Sequence, residues 1–380
     1  MKYKDIYLDN AASTKPSESV INQMITCARD IYGNPSSMHD IGYKAKEVID
    51  NAKENISHYL NCLSDELYFT TGATMSNNVA IQGFLRANKN SMFIYSSIEH
   101  NDIILLAEWL KTQNIECLEI EVDNQGMIEQ DNLIKHLEYA KSKNMIPLVS
   151  IQMANNEVGT IQHSSLLSKI IHKYGGVFHT DATQYIAHFP VDVNEVGIDM
   201  LSMSGQKINC IKGIGLLYVR SDINISPLIF GEQGLIGGTE NVIGIACLSQ
   251  AFTDISDYSD YFDNIKKQKL FMDNIHSLGL NIVGSQIHRL PNNICVMFKR
   301  LDGTTVVQFL NDKHIYASTG SACSSHSNSP SHVIKALHYS DNEAGSCVRF
   351  TINNNTTEDD INYVTNIIKI MLDLINHLVY

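Results

Sequence analysis

The chain has 380 residues, with 28 Lys or Arg against 41 Asp or Glu, so its formal charge at neutral pH is −13. A surface of that sign repels phosphate backbones, which argues against direct nucleic-acid binding and obliges any anionic or zwitterionic substrate to find a local positive pocket. Its eight cysteines include no CxxC pair, which disfavours a zinc or other metal site and a disulfide framework and fits reduced thiols in a cytoplasmic protein.

In chain order, the opening MKYKDIYLDNAAS lacks the apolar run of a leader peptide. From about residue 40 to 220, short apolar β-branched runs predict strands at Glu66–Phe69, Ser91–Tyr95, Glu116–Ile120, Ile146–Ile151, Val177–Thr180, Met200–Met203 and Gly215–Val219. Segments of helical period lie between several of them, at Ser76–Ala87, Asn101–Lys111 and Ser165–Tyr174. That alternation predicts an α/β fold with a mostly parallel sheet covered on both faces and a ligand site at the carboxyl ends of the strands. One long helical pattern then runs through Ile243–Phe271. Beyond it, strands at Ile282–Val283, Ile294–Phe298 and Val348–Ile352 with helices at Thr304–Asn311 and Glu358–Leu378 predict a smaller α+β domain, with a boundary near residue 260. The apolar stretch Val364–Tyr380 is broken by Lys369, Asp373 and His377, so no membrane span is expected.

Three places along this pattern carry chemistry. Phe69–Thr74 is a strand followed by a small-residue turn into a helix, an N-terminus whose free N–H groups suit a phosphate. Asp181 follows the run Val177–Thr180, where it either pairs with a ring nitrogen or caps a helix, since Asp181 and Gln184 have the spacing of a capping box. Lys207 follows the small-residue turn Ser202–Gln206 and is either a solvated surface lysine or, partly desolvated, a Schiff-base former. Phosphate cradle, strand-end acid and strand-end lysine, in that order on an α/β chain, describe a fold-type I pyridoxal-phosphate enzyme.

The chain resembles the cysteine desulfurases of the class V aminotransferases nearly end to end. The motifs are YLDNAAST (Tyr7–Thr14), GNPSSMH (Gly33–His39), TTGATMSNN (Thr70–Asn78), EH (Glu99–His100), NNEVGTIQ (Asn155–Gln162), HTDATQ (His179–Gln184), Lys207, GTENV (Gly238–Val242), STGSACSS (Ser318–Ser325) and VRF (Val348–Phe350). The resemblance implies a large cofactor-binding domain over 15–258 and a small domain made of 1–14 and 259–380. It also implies a set of roles. Lys207 would hold pyridoxal 5'-phosphate covalently and carry the Cα proton, Asp181 would pair with the pyridine nitrogen, Gln184 would donate to the ring phenolate oxygen, and His100 would stack on the ring as an acid–base group. Ala73, Thr74, Ser204 and Gln206 would lie at the phosphate, and Thr239 would reach it from the second subunit of a homodimer. Asn156 would face cofactor and substrate, and Arg349 would take the substrate carboxylate, unless it pairs with a nearby acid such as Glu343. Cys323, in a stretch of small polar residues through Pro330, would attack the sulfur of L-cysteine, keep it as a persulfide and pass it to an acceptor protein, leaving L-alanine. The remaining cysteines sit in apolar patterns and read as packing.

Four departures lie near this site. Gln206 replaces a usual histidine, Cys210–Ile211 replace Gly-Pro, Met75 replaces a glutamate, and the segment 230–239 is about three residues short with Ile236 in place of an arginine. They leave open a related lyase acting on selenocysteine, cysteine or cystine, and a weakly active sulfur-relay scaffold. The destination of the sulfur, whether iron–sulfur assembly, tRNA thiolation, DNA phosphorothioation or another route, carries no motif.

Overall fold

The computed structural model describes residues 4–231, 234–255, 261–320 and 330–378. The chain opens with a short strand, β1 (Ile6–Tyr7), and two helices, α1 (Glu18–Asp30) and α2 (Asp40–Leu60). On α2 the residues Ala45, Ile49, Ala52, Ile56 and Leu60 are buried, a three-and-four spacing that places them on one stripe facing the core. Strand and helix then alternate through β2 (Leu67–Thr70), α3 (Ala73–Ala87), β3 (Ser91–Ser96), α4 (Asn101–Thr112), β4 (Cys117–Ile120), α5 (Gln130–Ser142), β5 (Ile146–Ser150), α6 (Ser164–Lys173), β6 (Val177–Asp181), the single turn α7 (Val193–Val196), β7 (Met200–Ser204) and β8 (Gly215–Val219). All seven strands expected in this region are present, each end within one residue of its expected place. Helix α3 starts three residues earlier than its apolar period indicated, at Ala73.

The remaining elements are α8 (Val242–Ile255), α9 (Tyr261–Ser277), β9 (Asn281–Val283), β10 (Asn293–Met297), α10 (Gly303–Asn311), β11 (Ile315–Tyr316), α11 (His332–Ala336), α12 (Asp341–Gly345), β12 (Cys347–Thr351) and α13 (Glu358–Leu378). The long helical pattern over 243–271 is present as α8 and α9, on either side of residues 256–260, which lie outside the described residues. Ile245, Cys247, Leu248 and Phe252 of α8 join the core beneath the large sheet, where α8 packs on α1 and α2. Phe271 and Ile275 of α9 join a second core with β10, β12 and α13.

The large sheet has the order β2-β8-β7-β6-β5-β3-β4. Strands β3 to β7 are mutually parallel, β8 is antiparallel to β7, and β2 is antiparallel to β8. The two reversals cancel, so β2 runs the same way as β7. The carboxyl ends of β2, β3, β5, β6 and β7 therefore open on one edge, where doubly wound sheets bind ligands. A smaller antiparallel sheet has the order β12-β10-β9, and β1 pairs in parallel with β11. Through β1, Ile6 and Leu8 enter the second core beside Phe350, whose ring meets Phe271 edge to face at 5.4 Å.

Candidate active site

A cavity of about 270 Å³ opens at that strand edge, and its lining includes Ala73, Thr74, His100, Asn156, Asp181, Gln184, Ser204, Gln206, Lys207 and Arg349. These residues come from loops as far apart in sequence as the end of β2 and the strand β12.

One wall is built for an anion. Gly72, between β2 and α3, has φ 151°, a conformation that only glycine adopts without strain, and a Cβ placed there would meet nothing nearer than Ser204 Oγ at 3.6 Å. The following helix, 15 residues long, starts with no side-chain cap. Its first N–H groups and dipole, with the hydroxyls of Thr74 and Ser204, make an anion cradle.

Opposite lies Asp181, the last residue of β6 and 7% exposed. Its Oδ1 accepts from Thr183 N at 2.9 Å and its Oδ2 from Asn77 Nδ2 at 3.0 Å. No helix follows it, so the capping reading gives way to a tight turn closed on its own carboxylate. Burial, and after it the charge of Asp102, push the Asp181 carboxyl above the usual range. A cation or a shared proton arriving beside it would relieve that cost. Behind it Glu99 is fully buried. Its Oε1 accepts from Gln152 N at 2.7 Å, and burial outweighs that bond and holds the carboxyl well above the usual range.

Lys207 sits on the turn that follows β7, and its Nζ donates to Ala12 O at 2.5 Å. Gln184 Nε2 donates to Ala11 O at 3.0 Å, so the opening segment of the chain occupies both groups. The backbone carbonyl of Gln206 accepts from Thr14 Oγ1 at 3.0 Å, while its side chain lines the cavity. His100 is the residue before α4, with Nδ1 2.9 Å from Asp102 Oδ1.

Arg349 on β12 is 1% exposed. One terminal nitrogen donates to Asn156 O at 2.8 Å and the other to Asp9 Oδ1 at 2.8 Å. The expected alternative, a pair with Glu343, does not form, because Glu343 closes a capping box with Ser340 at the start of α12. The Nε of Arg349 is buried with no partner among the described residues, a donor in need of an acceptor. Arg349 also exchanges backbone bonds with Ser318, at 2.6 and 3.2 Å.

Cys323 lies outside the described residues, as does most of its stretch. Two described positions close to its ends, Gly320 and Ser331, both meet Glu157: Ser331 Oγ donates to Glu157 Oε2 at 2.5 Å, and a Cβ on Gly320 would come within 2.9 Å of the same oxygen. Thr239 is not on this cavity. It lines a neighbouring one of about 620 Å³ together with Pro35, Ser36, Lys46, Lys53 and Ile236. Cys210, an oddity beside the lysine in sequence, is buried in the core next to Cys247, and burial pushes its thiol up to about 12. It is packing. Burial likewise pushes Cys62 to about 12 and Cys117 and Cys247 to about 11. The residues that sequence reasoning passed over are Asp9, Asn77 and Asp102. Asp9 and Asn77 stand inside quoted motifs without a role, and Asp102 reads locally as an ordinary acid in the first turn of a helix.

These residues fit pyridoxal phosphate on the donor set alone. An uncapped helix start with two hydroxyls matches a phosphate, a buried carboxylate without a cationic partner among the described residues matches a pyridine nitrogen, a lysine lines the same cavity, and a guanidinium with an N–H unused by the described residues matches a carboxylate.

The chain matches the aminotransferase class-V family over residues 6–364. It is 36% identical to the protein named cysteine desulfurase IscS of Dictyoglomus turgidum over 386 residues, covering 97% of this chain and 95% of that protein. It is 36% identical to the cysteine desulfurase IscS of Methanosarcina thermophila over 374 residues, covering 96% and 91%. Among solved structures, a NifS-like protein superposes with a TM-score of 0.88 at 29% identity, covering 98% of this chain and all of that one. The structure titled SspA in complex with cysteine superposes with a TM-score of 0.80 at 31% identity, covering 93% and all. On a match spanning nearly its whole length, the chain belongs to the aminotransferase class-V family.

Proposed function

We propose residue roles for a chain that is a pyridoxal-phosphate-dependent cysteine desulfurase, as its full-length similarity to proteins of that name supports. The observation that carries the roles is the convergence of Lys207, Asp181, His100 and Arg349 on one cavity. When bound, pyridoxal phosphate supplies an electron sink that stabilises negative charge at the substrate Cα. Thr74, Ser204 and the start of α3 hold its phosphate, and Lys207 Nζ is its attachment point. Asp181 keeps a proton on the ring nitrogen. Arg349, held by Asp9 and Asn156 O, binds the carboxylate of L-cysteine through its charge and its remaining N–H, which orients the Cα hydrogen toward Lys207. Once the amine of L-cysteine has taken its place, Lys207 Nζ would accept that proton and return it. The thiolate of Cys323 attacks the substrate sulfur, so that an S–S bond forms as the Cβ–S bond breaks. The bonding pair stays with the carbon skeleton, which gains protons and leaves as alanine. The persulfide on Cys323 then passes to an acceptor protein.

Thr239 acts on the neighbouring subunit of a homodimer in this reading. Exposed Tyr32, Met38, Tyr43 and Phe230 lie along the segments that border its cavity, and an apolar surface of that kind suits a second copy.

The deciding experiment mixes protein, L-cysteine and a reductant and compares Cys323→Ala with the parent. The variant is expected to bind cofactor with an unchanged absorbance spectrum and to release sulfide at least a hundredfold more slowly, roughly the loss seen when a nucleophile is removed. Sulfide release at the parental rate would refute the role of Cys323, and pyruvate with ammonia in place of alanine would identify an eliminating lyase.

A further inference from the structure

The cavity holds one more acid than the roles above use. Asp102, in the first turn of α4, lines it, with a side chain only 9% exposed. An acid in the first turn of a helix ordinarily faces solvent and complements the dipole. This one faces the site and touches three of its parts. Its Oδ1 is 2.9 Å from His100 Nδ1. Asn77, fully buried, places its Nδ2 3.3 Å from Asp102 Oδ2 and 3.0 Å from Asp181 Oδ2, so one amide spans both carboxylates. Thr74 also bonds to Asp102. Burial acts to raise the Asp102 carboxyl, but the bonds from His100, Thr74 and Asn77 together outweigh it and hold the group below its usual range, so it is ionised at neutral pH.

The Asp102 backbone N–H also approaches His100 Nδ1, at 3.4 Å. The carboxylate is half an ångström closer and charged, so it prevails, and a neutral His100 carries its proton on Nδ1 and its lone pair on Nε2. We propose that Asp102 is a positioning residue for the desulfurase reaction: it fixes the tautomer and orientation of the His100 ring and raises the affinity of that ring for a second proton. The His100–Asp102 pair then works as one proton-holding unit, with Nε2 as the nitrogen that gains or loses the proton. This inference rests on the reading of His100 as an acid–base group of the site.

Among the described residues, the charged and titratable groups around His100 include Asp102 on α4, Glu99 before it, Asp181 on β6, Lys207 after β7, Arg349 on β12 and His332 on α11, whose Nε2 lies 2.9 Å from Glu99 O. Asp102 makes a charged contact to the ring at 2.9 Å. An opposite charge this close favours the protonated ring, so its removal lowers the proton affinity.

The test reads the ring itself, in protein freed of cofactor. Histidine ring nitrogens are labelled with 15N, and the His100 signals are assigned by their loss in His100→Gln. The wild-type ring is expected as the Nδ1–H tautomer, and finding it as Nε2–H overturns the proposal without recourse to any Asp102 variant. In Asp102→Asn, which keeps an acceptor oxygen and the shape, the His100 titration midpoint is expected to fall by about one pH unit. Asp102→Glu restores it. The pH limb of kcat that belongs to His100 moves to lower pH by the same amount in Asp102→Asn. An unchanged midpoint in a folded Asp102→Asn protein overturns the proposal. Alanine production by the wild-type holoenzyme reports separately on the desulfurase reading, so the two fail independently.

Discussion

Arg349→Lys isolates geometry from charge at the substrate carboxylate. The guanidinium spends one terminal nitrogen on Asp9 and the other on Asn156 O, both at 2.8 Å, and still presents a buried N–H without a partner among the described residues. An ammonium in its place keeps Asp9 neutralised, which protects the fold, but as a compact point charge it cannot hold two protein oxygens and a planar carboxylate in one fork. The loss is at least one charge-assisted hydrogen bond, worth about 1.5–3 kcal/mol, which corresponds to roughly ten- to hundredfold in kcat/KM. The assay follows alanine formation against L-cysteine concentration and repeats the measurement with L-cysteine methyl ester, which lacks the carboxylate charge. The substitution is expected to lower kcat/KM for L-cysteine by that factor, mainly through KM, and to leave the ester within about twofold. Retention of the parental kcat/KM for L-cysteine, or an equal loss with both substrates, would show that Arg349 is not the carboxylate's partner.

Two further outcomes follow from individual contacts. Gln206→His adds a chargeable ring to the cofactor cavity, and since a charge-assisted bond is about twice as strong as a neutral one, fluorescence titration of apoprotein with pyridoxal phosphate should show severalfold tighter binding; unchanged affinity would mean that the Gln206 side chain does not reach the phosphate. His179 is fully buried between Ser150 Oγ at 2.9 Å and Ser202 Oγ at 3.0 Å, and burial drops its ring to about 3. The unfolded chain takes up that proton near pH 6.5 while the folded one does not, so the contribution of neutral His179 is complete above pH 6.5 and is lost at about 1.4 kcal/mol per pH unit as pH falls toward 3. Urea unfolding of His179→Gln between pH 6.5 and 4 should show a slope shallower by that amount, and an identical slope would mean that the ring is charged in the fold.

Much of the sheet was legible in the linear chain because its signals are local. A run such as Val177–Thr180 or Gly215–Val219 is short, apolar and bounded by turn residues, so each strand declares itself without its neighbours. Helix α2 is as readable from its apolar spacing, with Ala45, Ile49, Ala52, Ile56 and Leu60 on one buried stripe. The pattern over 243–271 shows the limit of that signal, because helical period records that a stripe is buried and says nothing about which core buries it; α8 and α9 face different ones.

The same division runs through the site. The order of phosphate turn, strand-end acid and lysine is a property of the chain, and from it follow the fold type and the cofactor, while the kind of reaction is what the resemblance of its motifs to the cysteine desulfurases implies. Which groups touch is a property of the tertiary structure alone. Arg349 pairs with Asp9, 340 residues away, and not with nearby Glu343, because Glu343 is held by the local cap of α12 while Asp9 reaches the guanidinium from the opening segment that packs beside β12. Asn77 spans Asp102 and Asp181 because α3, α4 and β6 converge on one edge, which turns a common helix acid into a neighbour of the reaction. Local propensity can be read residue by residue, but desolvation and the choice of a charge's partner depend on the whole packed chain, and the chemistry of this cavity rests on the latter.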